Sequence, residues 1–202
     1  MKTIKRITCT FLAFAILIGL TACAPKTFEH KKLAKFCQKQ GFEELDKAKS
    51  FCTFFSGSMY RDNDGEGAYA HLLKREAQKV YDEYLKYSTT ETQDYDVTEV
   101  TAFVYVDEDM DFYGFLYTFE NEREAKKSFN NYGIHYITID GKGKEETYSY
   151  YIANYDNYRD MNVYEGVYLK GNTLLIVECV CDDSDMVDAF CKIFGVISPS
   201  DA

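Results

Sequence analysis

The chain has no tryptophan and only two prolines, Pro25 and Pro199, among 202 residues. Both prolines stand near the ends, so none interrupts a helix ladder or bars a strand from a sheet interior in between. Positive charge is also scarce. Against 33 Asp and Glu there are 23 Lys and Arg, a formal net charge of −10. Such a surface repels phosphate instead of releasing counterions from it, which disfavours nucleic acid as a partner. Histidine is rarer still. His30, His71 and His135 are the three present, and their spacing carries no metal-ligand signal. No nucleophile elbow, phosphate-cradling glycine loop or zinc-protease motif occurs, so no residue is assigned a catalytic role and no cofactor or metal is expected.

What is present begins with a leader. Lys2, Lys5 and Arg6 precede an apolar run over residues 11–20, broken only by Gly19, and Leu20-Thr21-Ala22-Cys23 follows. Charged start, apolar centre and small-residue end are the parts of a secretory signal. The run is shorter than the roughly 20 residues of a membrane span. Leu20-Thr21-Ala22-Cys23 resembles the lipobox of bacterial lipoproteins. The resemblance implies cleavage before Cys23, diacylglyceryl modification of its sulfur, and a place on the extracytoplasmic face of the cell membrane. Residues 1–22 are then signal peptide and residues 23–26 a lipidated tether. Losing the leader with its three cationic side chains leaves 180 residues and takes the net charge from −10 to −13. An anionic bilayer repels that body, so retention requires a covalent anchor, and two acyl chains hold where one is marginal.

The body divides by periodicity. Residues 27–90 read as a helical segment. Thr27 starts a helix ending at Gly41, with Leu33, Phe36, Cys37 and Gln40 inward. Residues 42–45 are extended. Asp46 starts a second helix lined by Ala48, Phe51, Cys52 and Phe55. Residues 56–67 read as a polar loop. Residues 68–87 read as a longer helix with the stripe Tyr69, Leu73, Ala77, Val80, Tyr81 and Tyr84. A polar linker over 88–96 follows.

From residue 97 to 197 the apolar period is two, and the segment reads as a sheet domain, with the helical part either separate or joined to it. Strands are expected over 97–106, 112–119, 134–139 and 148–155. Asn121 with Glu124 at the third helical position marks a capped helix between the second and third. Residues 140–144 read as a turn. Gly171-Asn172 is a two-residue hairpin turn, and it sets Lys170 against Thr173, Tyr168 against Leu175, Gly166 against Val177, Tyr164 against Cys179 and Glu165 against Glu178. Both faces of that hairpin are largely apolar, which predicts a central position covered on both sides. Asp183 or Ser184 starts a last helix ending at Gly195. The fold class is α+β, a mainly antiparallel sheet with covering helices, preceded by the helical segment. The runs FLYTFENEREAKKSFNNY (115–132) and NTLLIV (172–177) are similar to those of small uncharacterised lipoproteins of clostridial-type Gram-positive bacteria, a group that implies no activity.

Several residues carry candidate chemistry. Five cysteines remain in the body, and extracytoplasmic thiols can pair. Cys37 and Cys52 lie on the apolar sides of consecutive helices and form the candidate disulfide, with buried free thiols as the alternative. Cys179, Cys181 and Cys191 can converge between strand and helix. The acidic loop around residues 61–67 lacks the carboxylate spacing of a calcium loop, and Asp107–Asp111, with four carboxylates, reads as a solvated hairpin turn, with calcium as the alternative. Glu165 and Glu178 are the one nameable acid–base pair, although like charges opposite each other disfavour a sheet. Tyr148, Tyr150, Tyr164 and Tyr168 form a candidate binding surface for an envelope protein, peptide or glycan, since tyrosine joins apolar area to a polar tip. The expectation is a membrane-anchored binding or interaction module of the cell envelope. The alternative is an envelope-acting enzyme or enzyme-assisting factor.

Overall fold

The computed structural model describes residues 27–60, 62, 64–88, 95–135, 141–156 and 161–202. The leader with Cys23 and the tether, most of the expected linker, the expected strand residues 136–139 and Tyr158 lie outside the described residues. In chain order the elements are α1 (His30–Gln40), β1 (Glu43–Leu45), α2 (Ala48–Met59), β2 (Glu66–Leu73), α3 (Arg75–Ser88), β3 (Val97–Val106), β4 (Met110–Phe119), α4 (Glu122–His135), β5 (Gly141–Lys144), β6 (Ser149–Asp156), β7 (Asn162–Lys170), β8 (Thr173–Cys181) and α5 (Asp185–Phe194). A 3-10 turn, Pro199–Asp201, closes the chain.

The class is α+β. Among the described residues, eight strands join one mixed sheet in the order β1-β2-β3-β4-β8-β7-β6-β5. Of these strand pairings β1–β2 is parallel and the others are antiparallel. The β7–β8 hairpin keeps the register that its turn dictates, from Lys170↔Thr173 through Glu165↔Glu178 to Val163↔Val180. Gly171 adopts φ 58°, which its missing Cβ permits. The Asn172 side chain donates to the Phe119 carbonyl at 2.7 Å and ties the hairpin to β4.

The helical segment needs correction. Residues 66–73 are a strand, not the start of a helix, and α3 begins only at Arg75. Side chains alternate along β2: Tyr69 joins the apolar cluster of one face, Ala70 and Leu72 that of the other. The strand pairs with β3 over its whole length, Glu66↔Val106 to Leu73↔Glu99, so the N-terminal part shares one sheet with the rest. Lys74 turns the corner into α3 at φ 53°, and its N–H donates to the Thr98 carbonyl at 2.7 Å. The stripe of α3 is therefore Ala77, Val80 and Tyr81, with Tyr84 half-buried, while Leu73 is exposed.

Smaller corrections concern element ends. Helix α2 continues to Met59, into the expected loop. Ile134 and His135 close α4 where a strand was expected, and residues 141–144 are the edge strand β5 instead of a turn. Neither Thr27 nor Asp46 caps a helix: the N-cap positions are Glu29 and Lys47, without side-chain cap bonds. Asn121 does cap α4, its Oδ1 accepting the Glu124 N–H at 3.1 Å.

Helices cover both faces. Against one face pack α1 and α5, through Leu33, Phe36, Cys37, Val187, Phe190 and Phe194. Phe36 meets Phe103, Phe112 and Phe190 edge-on at 5.9, 6.0 and 5.5 Å, locking both helices to β3 and β4. Against the other face pack α2, α3 and α4, through Phe51, Val80, Tyr81, Ala125 and Phe129. Tyr117 of β4 lies under Tyr81 at 4.9 Å, and its hydroxyl is buried with no hydrogen-bond partner. An orphaned buried hydroxyl costs about 1–3 kcal/mol. Tyr117→Phe is therefore expected to raise stability by about 1 kcal/mol in urea denaturation; a loss would show that the hydroxyl is satisfied.

Candidate functional site

The sheet register assembles one row of polar groups on the face toward α3 and α4. Tyr113 of β4 stands opposite Glu178 of β8, and Glu178 opposite Glu165 of β7. The Tyr155 hydroxyl of β6 donates to Glu165 Oε1 at 3.1 Å. The Tyr84 and Tyr132 hydroxyls hydrogen-bond to each other and bring their dipoles beside the same row. Glu165 Oε2 is buried and accepts no hydrogen bond in the structure.

One proton resolves this arrangement. Burial pushes the Glu178 carboxyl up to about 8, with the charge of Glu165 adding to it and the Tyr113 hydroxyl opposing. Burial also raises Glu165, against the hydrogen bonds from Tyr155 and Glu178. A protonated Glu178 donates to Glu165, and the like-charge clash across the hairpin disappears. The row is thus a carboxylic acid beside a carboxylate, the pairing that general acid–base chemistry uses near neutral pH.

The other sequence candidates fall elsewhere. Tyr148, Tyr150, Tyr164 and Tyr168 share the opposite face, toward α5. There the C-terminal segment covers them: the Tyr168 hydroxyl donates to the Ile197 carbonyl at 2.7 Å, and the Ile197 N–H donates to the Tyr148 hydroxyl at 3.0 Å. Asp188 fastens the same segment by accepting from Ser198 and Ser200. Tyr168 lies so flat over Gly166 that a Cβ there would meet its ring at 2.7 Å. Cys37 and Cys52 belong to clusters on opposite faces, with the sheet between them, so they form no disulfide with each other. Cys179 and Cys181 bring their sulfurs to 3.1 Å, whereas Cys191 instead meets the Tyr168 hydroxyl at 3.7 Å.

An open groove of about 690 Å³ runs between α2 and α3, lined by Ala48, Lys49, Cys52, Thr53, Lys79 and Glu83 among others. The carboxyl pair is not among its lining residues. Two groups among the described residues bring three potential metal-ligand atoms within 4.8 Å of one another: Asp96, Glu120 and Glu124, and His30, His71 and Glu99. The second was missed from the sequence because it depends on the β2–β3 register, which sets His71 opposite Thr101. No protein-family profile, no curated protein and no solved structure matches this chain.

The raised pKa of Glu178 has a stability consequence. Between about 4.5 and 8 the unfolded chain has lost the Glu178 proton while the folded chain retains it, so the native state binds more protons and stability falls as pH rises. The slope is at most about 1.4 kcal/mol per pH unit. Glu178→Gln is expected to flatten this decline between about pH 6.5 and 8, above ordinary histidine titration, in urea titrations at fixed pH. An unchanged slope would place the proton elsewhere.

Proposed function

We propose that the protein is a lipoprotein held on the extracytoplasmic face of the cell membrane by a lipid on Cys23, and that its body serves the envelope as a binding or interaction module. The observation that carries this reading is the leader, with its basic start, apolar centre and Leu20-Thr21-Ala22-Cys23 end. The fold is compatible with a short tether. Phe28 is already buried in the core, and its N–H donates to Thr173 Oγ1 at 3.0 Å, so packing begins five residues after Cys23. Among the described residues no helix is long and apolar enough to cross a membrane. Because the tyrosine face is covered by the chain's own C-terminus, the groove between α2 and α3 is the better candidate for contact with a protein, peptide or glycan partner.

Fatty-acid labelling in a lipoprotein-processing host tests the anchor. The wild type is expected to take up label and stay with membranes, and Cys23→Ser to lose both. A variant that stays membrane-bound and labelled would end this reading. A second reading, an enzyme acting on envelope material, rests on the Glu165–Glu178 pair. It requires that turnover of an envelope glycan vanish in Glu178→Gln with the fold intact; absence of any turnover by the wild type would dismiss it.

A further inference from the structure

His30, His71 and Glu99 come from three elements, α1, β2 and β3, and meet at one corner of the sheet. Glu99 turns its two oxygens to two imidazoles: Oε1 is 2.7 Å from His71 Nε2 and Oε2 is 3.8 Å from His30 Nε2. The two rings stack nearly parallel, 8° apart with centroids at 5.6 Å. Both Nε2 atoms thus lie beside one carboxylate.

We propose that His30, His71 and Glu99 form a binding site for a divalent transition metal of the zinc class. The donor set fits that chemistry: two imidazoles and one carboxylate suit zinc, cobalt or iron(II), whereas calcium and magnesium favour oxygen alone. With bonds of about 2.1 Å in tetrahedral geometry, ligand atoms stand about 3.4 Å apart. Three donors already within 4.8 Å reach that spacing by side-chain adjustment alone.

The surroundings match what a metal-bound histidine requires. His30 is buried, at 7% exposure, so its ring is held in place by the packing around it. Its Nδ1 lies 2.9 Å from Thr101 Oγ1. In the bound form Nδ1–H donates to that hydroxyl, which fixes the ring and directs Nε2 at the ion, the usual task of an outer partner. Without metal, the Thr118 hydroxyl at 2.8 Å occupies Nε2, and it rotates aside on binding. Ligation through Nε2 leaves the proton of His71 on Nδ1. The side chains of His71 and Glu99 are 34% and 30% exposed, so a hydrated ion reaches them and keeps water in the fourth position. Three protein ligands with one open position is the arrangement of a site that can also engage a substrate or a partner's side chain.

The test is direct. Untagged protein is dialysed against cobalt(II) and its bound metal and visible spectrum are read, followed by zinc competition. One equivalent should bind, with the absorption of a low-coordinate cobalt centre that zinc bleaches. Loss of a mere outer partner costs about 10–100-fold in affinity, so His71→Ala and Glu99→Gln should each cost at least tenfold. Both residues are partly exposed, and circular dichroism of these variants should match the wild type. Glu120→Gln, in the other carboxylate group, should leave uptake unchanged. No stoichiometric uptake by the wild type, or uptake that survives both His71→Ala and Glu99→Gln, overturns the proposal. Loss of uptake in Glu120→Gln alone would also overturn it and move the ion to the other group.

Discussion

Strand β4 is the constraint on which the molecule depends. It pairs with β3 along one edge and with β8 along the other, and so joins the N-terminal strands to the C-terminal hairpin. Its side chains serve both covers. Phe112 and Leu116 meet α1 and α5, while Phe115, Tyr117 and Phe119 meet the helices opposite. A strand buried on both faces can exclude water only if its sequence is nearly continuous apolar and aromatic, and MDFYGFLYTF is that. Polar groups on such strands must find a partner inside or sit at a corner, and the Tyr117 hydroxyl, which does neither, is an exception.

That pressure explains where the chemistry lies. Glu178 and Glu165 occupy the face beneath α3 and α4, where two charges cannot both persist, and one proton makes them compatible. His30, Thr101 and Thr118 occupy the corner where α1 begins, and each satisfies another. The four tyrosines of the hairpin side face a cover too, and the hydroxyls of Tyr168 and Tyr148 hold the C-terminal segment in place. Tyrosine's mixed character works here as an internal clamp, a role that composition alone does not distinguish from a binding surface.

Local signals were legible where they act over a few residues. The Gly171-Asn172 turn gave every pair in the β7–β8 hairpin, including Glu165 against Glu178, because turn geometry fixes register. The cap at Asn121 and the stop at Gly41 were readable for the same reason. Strand β2 was not. EGAYAHLL is rich in helix formers, and its small residues Ala68 and Ala70 are chosen by close packing against neighbours distant in sequence. That one misreading hid the histidine cluster, since His71 reaches Glu99 and His30 only when residues 66–73 are extended beside β3. It also made Cys37 and Cys52 look like neighbours on consecutive helices, when the sheet passes between those helices.

The central claim is that one sheet, hinged on β4, unites the described parts of the chain in a single cooperative body. Native-state hydrogen exchange measures this residue by residue. Amides of β2, β3, β4 and β8 are expected to share the slowest exchange and to respond together to low denaturant. Early, independent exchange of β2 and α3 while β4 to β8 stay protected would contradict the account, and would show a separable N-terminal part.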